Sequence, residues 1–295
     1  MKIATWNIYW LGDTTGKITR AETDHELIAK VIKKISPDVL ALEEIVNPLI
    51  MENILKLASG DGKDYVIRSD DGKWLTSDSD PTNKSKNLQK IFLCINRETI
   101  EFLHGAEIRG GPAGRRSYAA LLRHKASDTK FVAVAIHLRA GFPDFLNEDD
   151  AAFRKQEAEA LARWLQGQSE TENPSFPKPD SDKIVVLGDF NAEFNDPNQS
   201  LNPLREGELS NWMWNNPKPD GVHRETAIDD RYVIDFIMLS PALKIEPPPT
   251  IYAWDYDSSL GGATKFHEEV NGSNNLKNYK VSDHRLVFVV LDFQP

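Results

Sequence analysis

Residues 184–191 read IVVLGDFN, a run of branched apolar residues that stops abruptly at a glycine, an aspartate, a phenylalanine and an asparagine. A short β-branched run bounded by glycine fits a buried strand over Ile184–Leu187 better than a helix. With strand geometry continued, Asp189 and Asn191 share one face at the end of a sheet, two residues apart. A carboxylate and an amide held side by side at a strand terminus suit an oxyanion bound through a divalent cation, because the sheet fixes the backbone while the following loop stays open to a ligand.

The same design recurs along the chain. Lys2–Trp6 lead to Asn7, Val39–Leu42 to Glu43 and Glu44, and Phe131–Ile136 to His137. Val233–Ile237 carry Asp235 in their middle, and Val281-Ser282-Asp283-His284 precede the apolar run Leu286–Leu291. Each strand thus delivers an Asn, Asp, Glu or His, and such groups collected together make a centre for metal binding and proton transfer. Carboxylates with water and phosphate oxygens suit Mg²⁺ or Mn²⁺. Zinc suits the chain less: there is one cysteine and no HExxH pair.

Composition sets further bounds. A chain of 295 residues, 40% hydrophobic, can bury a large core as one domain spanning residues 1–295. No apolar run is long enough for a transmembrane helix, and a polar Asn7 interrupts the apolar start where a signal peptide would need its core. The expectation is a cytoplasmic protein, or a secreted one if the chain is a trimmed mature form; monomer is the default. Cys94, within IFLCI, reads as a buried strand residue. A formal charge of −10 argues against an indiscriminate nucleic-acid coat, yet leaves room for a local basic patch. Residues 105–125 supply one, with five Arg or Lys against one acidic residue.

Between the strands, Thr23 to Glu26 reads as a capping box opening a helix whose apolar stripe is Leu27, Ile28, Val31, Ile32 and Ile35, stopping before Pro37. Asn47 and Pro48 read as the cap and first residue of a second helix ending near Gly60. Phe153, Ala160, Leu161, Trp164 and Leu165 share the face of a third. Residues 76–90 and 169–182 read as loops.

The ordered motifs TWN at 5–7, LEE at 42–44, IHL at 136–138, GDFN at 188–191, IDFI at 234–237 and SDH at 282–284 resemble those of the endonuclease/exonuclease/phosphatase superfamily over nearly the whole chain. The resemblance implies an α/β fold, a four-layer α/β/β/α sandwich of two mostly antiparallel sheets packed face to face, each half of the chain giving one sheet. It implies Glu44 and Asp283 as metal ligands with Asp189, and Asn7 as a supporting one. Glu43 stands where relatives often carry glutamine, and alternation puts Glu43 and Glu44 on opposite faces, so that one of them faces the metal. His284 and Asp235 resemble the family's His-Asp pair, which orients or deprotonates the attacking water. Either His284 or Asp189 takes the proton. Asn191 holds the water or a phosphoryl oxygen, and His137 the scissile phosphate. Arg115, or Arg116 after a one-residue shift, matches a phosphate-binding arginine; a solvated charge pair on a glycine-rich turn is the other reading.

Departures narrow the branch. Ala192-Glu193 and Tyr232-Val233-Ile234 replace the motifs of inositol phosphatases, and Leu286 replaces the proline that abasic-site enzymes keep. Arg231 lies out of register with the arginine those enzymes place before their IDF-like segment. HLRAGF followed by RKQEAEALARWL resembles a less characterised bacterial branch with an Arg-x-x-Gln-type helix. Gln89 stands where secreted deoxyribonucleases have a glutamate supporting the phosphate-binding histidine, which puts a second dyad in question. The expectation is a Mg²⁺- or Mn²⁺-dependent phosphodiesterase, a nuclease on DNA or RNA. The alternatives are a phosphomonoesterase or lipid-headgroup phosphodiesterase, and a catalytically silent binding scaffold.

Overall fold

In the computed structural model the strand runs alternate with three helices, across described residues 1–12, 22–60, 62–68, 89–109, 115–140, 148–167, 182–215, 226–227, 232–243, 249–260 and 281–293. The order is β1 (Lys2–Leu11), α1 (Glu22–Ile35), β2 (Val39–Ile45), α2 (Pro48–Ala58), β3 (Tyr65–Arg68), β4 (Lys90–Asn96), β5 (Ile100–Arg109), β6 (Arg116–His124), β7 (Thr129–His137), α3 (Glu148–Leu165), β8 (Ile184–Asp189), β9 (Met213–Asn215), β10 (Asp235–Leu239), β11 (Thr250–Tyr252) and β12 (Leu286–Val290). Two six-stranded sheets result, β11-β12-β1-β2-β4-β3 and β5-β6-β7-β8-β10-β9. Pairing is antiparallel except at β1–β2 and β7–β8.

The sheets meet through the side chains of alternate residues, as the two-residue period dictates. Ile3 of β1, Val39 and Ala41 of β2, Phe131, Ala133 and Ala135 of β7, Val185 and Leu187 of β8, and Ile237 and Leu239 of β10 all enter one buried cluster between them. Each such branched side chain contributes about 1.5–3 kcal/mol by leaving water, which fixes the register of every strand. α1 and α2 cover the outer face of the first sheet and α3 that of the second, giving the four layers.

Several sequence expectations change. Thr23 lies inside α1, which already includes Glu22, so it is not the cap. Asn47 does cap α2, its side chain accepting from Leu49 N at 3.1 Å. Asp235 opens its strand instead of sitting in the middle. The first sheet draws on both ends of the chain, because β12 pairs with β1 from Lys2↔Val290 to Thr5↔Val287. The predicted loop at 169–182 lies outside the described residues except for Asp182, and that at 76–90 except for Gln89 and Lys90, the latter already in β4. Cys94 is fully buried, as its run predicts.

The β1–β2 ladder is interrupted where it matters most. Asn7 pairs with Glu43 and Leu11 with Ile45, so Ile8, Tyr9 and Trp10 stand opposite the single residue Glu44. Tyr9, Trp10 and Glu44 all take positive φ (34°, 51° and 60°), a conformation that non-glycine residues adopt only when the surroundings enforce it.

Candidate active site

Carried one step further, the inward rows turn polar at a common end. Ile3-Thr5 lead to Asn7, Val39-Ala41 to Glu43, Ala133-Ala135 to His137 and Val185-Leu187 to Asp189, while Asp235 starts its row. Register places His137 and Asp235 on either side of Asp189 on neighbouring strands. His284 and Asp283 arrive from the segment before β12.

The contacts are dense. Asn7 Nδ2 donates to Asp189 Oδ2 at 3.0 Å and to Glu44 Oε1 at 3.3 Å. Its own Oδ1 accepts from Tyr9 N, and Glu44 Oε2 accepts from Trp10 N at 3.3 Å, so the bulge itself seats both residues. His284 Nδ1 lies 2.8 Å from Asp235 Oδ2, leaving Nε2 at 4.0 Å from Asp189 and 3.8 Å from Asp283. Asp189 Oδ1 accepts from Asn191 N at 2.7 Å. His137 Nε2 stands 3.7 Å from both Glu44 and Asp189. Seven of the eight acidic, amide and imidazole groups expected at the centre, Asn7, Glu44, His137, Asp189, Asp235, Asp283 and His284, therefore meet through their side chains. Asn191 joins them through its backbone, its side chain turning to Leu138 O at 3.0 Å.

Alternation misplaced Glu43 and Glu44 as opposites. Glu43 faces inward as its row requires and accepts from Thr5 Oγ1 at 3.0 Å, while the left-handed backbone of Glu44 swings its carboxylate to the same end of the sandwich.

The electrostatics are those of charges crowded away from water. Burial, with Asp235 adding to it, pushes Asp189 up to about 7. Burial does the same to Asp283, also to about 7, and raises Glu43 well above the carboxylate range with help from Asp235 and Asp189. His284 moves the other way from what burial alone would do: Asp235, Asp283 and Asp189 together hold its imidazolium well above the usual histidine value. His137 is held well below it, by burial and then by the Arg115 guanidinium and His284.

Several buried atoms here have no hydrogen-bond partner: Oε2 of Glu43, Oδ1 of Asp235, Oδ1 of Asp283 and both ring nitrogens of His137. An unsatisfied buried polar group costs about 1–3 kcal/mol, and a cluster of them marks a place where a ligand completes the bonding. Asp189, Asp235 and His284 bring ligand-type atoms within 4.8 Å of one another, but with His284 held as an imidazolium on Asp235 the oxygens of Asp189, Asp283, Glu44 and Asn7 are the set that fits a hard divalent cation. His137 Nδ1 has no hydrogen-bond partner, so Gln89 does not support it as a second dyad would require.

The two arginines part company. Arg115 Nη1 donates to Leu138 O at 2.9 Å, and its charge is felt at His137. Arg116 pairs with Glu107 at 2.7 Å. Farther along the basic segment Arg123 pairs with Glu101 and Asp128, so much of the excess charge there is neutralised locally.

Sequence reasoning missed the groups that hold this centre from behind. Trp6 and Trp254 both donate an indole N–H to His284 O, at 2.9 and 3.0 Å. Ser282 Oγ accepts from His284 N and donates to Asn7 O. Thr226 Oγ1 accepts from the backbone of Ile234 and Asp235. Arg285 forms a two-pronged buried ion pair with Asp255. An arginine beside an apolar strand run was the available signal for the last. Arg231 lies outside the described residues.

Two mixed sheets with helices outside, and acidic and imidazole groups gathered at one end of their shared interface, define a hydrolase class. The chain belongs to the Endonuclease/Exonuclease/phosphatase family, whose model matches residues 4–284. It is accordingly a hydrolase acting on phosphoester bonds, in a family that generally uses divalent metals. Among solved structures, a mannosyl-6-phosphatase from Bacteroides thetaiotaomicron is similar over 99% of this chain and 100% of its own, with TM-score 0.62 at 13% identity. The human nocturnin catalytic domain with bound sulfate covers 100% of this chain with 94% of its own, TM-score 0.60 at 16% identity. D. rerio TDP2 complexed with single strand DNA product covers 99% of each, TM-score 0.58 at 14% identity. At these identities the likeness is one of fold. No curated protein sequence matches the chain. No helix among the described residues is long and apolar enough to cross a membrane.

Proposed function

We propose that the protein is a Mg²⁺- or Mn²⁺-dependent phosphodiesterase that cleaves nucleic acid by in-line attack of water. The observation that carries this reading is the buried meeting of Asp189, Asp235 and His284 within 4.8 Å, flanked by a His137 whose ring nitrogens both lack partners. Asp189, Asp283 and Glu44, with Asn7 in support, would hold the cation, which when bound supplies positive charge to the phosphoryl oxygens.

The chain's own groups divide the remaining work. Asp189, near 7, is suited to accept a proton at neutral pH, and Asn7 and Asn191 N orient its two oxygens. His284, kept cationic by Asp235, stabilises negative charge developing beside it. A neutral His137 offers one N–H to a phosphoryl oxygen without bringing a competing charge. Arg115, beside it, serves a flanking phosphate.

The local pairing of Arg116 and Arg123 favours a second reading, a phosphomonoester or small phosphodiester substrate, since both of these arginines of the basic segment are already paired with carboxylates. The TDP2 structure with its DNA product and the mannosyl-6-phosphatase mark the two directions. A matrix of EDTA, Mg²⁺ and Mn²⁺ against an oligonucleotide, bis(p-nitrophenyl) phosphate and p-nitrophenyl phosphate separates them. Metal-restored cleavage of the oligonucleotide is expected. Faster turnover of the monoester than of either diester would replace the first reading with the second, and full activity in chelator would sink both.

A further inference from the structure

We infer that Arg154 and Glu157 of α3 are positioning residues, Glu157 acting through Arg115 and Arg154 through Asn191; this rests on the function proposed above. Both lie on the face of α3 that buries Ala158 and Leu161 against the second sheet, at 1% and 3% exposure, while Lys155 and Gln156 between them are exposed. Charged side chains reach such burial only where specific partners hold them.

Those partners lie in three separate segments, and all but Ser200 Oγ are backbone atoms. Glu157 Oε1 accepts from Arg115 N at 2.5 Å, just before β6, and Oε2 accepts from Arg139 N at 2.7 Å, just after β7. Arg154 Nη1 donates to Arg139 O at 3.1 Å and to Asn191 O, and Nε donates to Ser200 Oγ at 3.1 Å in the segment after β8. Between them Leu138 O accepts from both Arg115 Nη1 and Asn191 Nδ2. A closed lattice results: the helix grips Arg115 and Asn191 by their backbones, and Leu138, the residue after His137, ties their side chains together.

The geometry is directional. Two carboxylate oxygens accept one N–H each, which sets the separation of residues 115 and 139; an apolar residue would fill the space and fix neither. Asn191 in turn donates its own N–H to Asp189. A helix on the outer face of the second sheet thereby sets the phosphate-side arginine and the orientation of the central carboxylate. Misplacement of such groups by about 1 Å can cost on the order of 100-fold in rate.

Double-mutant cycles test this against a purely structural role. Glu157→Gln keeps shape but turns one acceptor into a donor; Arg154→Lys keeps charge but loses the fork. Turnover of bis(p-nitrophenyl) phosphate with Mn²⁺, affinity for inorganic phosphate with Mg²⁺ and thermal unfolding are measured for each. We expect about tenfold or greater losses for Glu157→Gln and for Arg154→Lys. Glu157→Gln should lose nothing more in an Arg115→Ala background, and Arg154→Lys little more in Asp189→Ala, which removes the carboxylate that the Asn191 N–H orients. Losses that multiply in both cycles, or that merely follow the unfolding temperature, would overturn the inference. Wild type that binds phosphate without hydrolysing any phosphoester would remove the proposed reaction while the binding cycle still reads the lattice. Neither binding nor turnover would overturn both.

Discussion

Asp189 accepts from the Asn7 side chain and the Asn191 backbone while lying within 4.0 Å of His137 and His284. Its neighbours depend on its charge, so Asp189→Asn should lower kcat by at least ~100-fold with circular dichroism unchanged, and Glu44→Ala and His284→Ala should do likewise. Turnover retained in any one of these removes that residue from the centre. These positions were legible because each polar residue ends or opens a run of apolar ones, an abrupt change that a strand makes only where it emerges. Arg154 was marked only as opening a resembled Arg-x-x-Gln-type helix, and the burial of Arg154 and Glu157 was not legible, since hydrophobic periodicity assigns charged helix residues to solvent and cannot see a backbone partner from another loop. The arginine pair was half legible: both flank the site, and only the position of Glu107 across the β5–β6 ladder shows which one is neutralised.

The β8 strand reaches the centre through Gly188, whose φ is +148° and where an added Cβ would stand 2.0 Å from Ile136 O on β7. Gly188→Ala must therefore push β8 away from β7 beside the His137↔Asp189 pair, in a conformation that costs a side chain about 1–3 kcal/mol. The expected result is lower thermal stability together with loss of turnover; an active, equally stable variant would show that this close approach is unimportant. Most elements were readable, with ends shifted by a few residues, because period-two burial extends over whole strands. The β1–β2 bulge was unreadable. Nothing in WNIYW or LEEI marks the left-handed residues that put Glu44 beside Asn7, because the strain there is imposed by the paired strand and by hydrogen bonds from the bulge.

Across the whole molecule the fold concentrates proton affinity at one end of the sandwich. Asp189 and Asp283 titrate near 7 in the fold and about 4 in an unfolded chain, so between those values the folded state keeps protons the unfolded state has released. Without metal, stability should fall as pH rises over that window, and His284, also raised, continues the fall above its unfolded value near 6.5. A divalent cation takes the place of those protons, so Mn²⁺ should raise the unfolding temperature more at pH 8 than at pH 5. Equal gains at both would argue that the carboxylates are not its ligands. The two-sheet architecture followed from the motifs, but the sharing of one sheet between both ends of the chain did not, since strand pairing over so long a separation leaves no local pattern. That sharing bears on biosynthesis. Asp283 and His284 are held against Asn7 and Asp235 by the segment leading into β12, which closes the first sheet on β1. A ribosome that has made all of the second sheet has still not made these two residues, so under the proposed chemistry the centre of a nascent chain stays incomplete until β12 docks on β1.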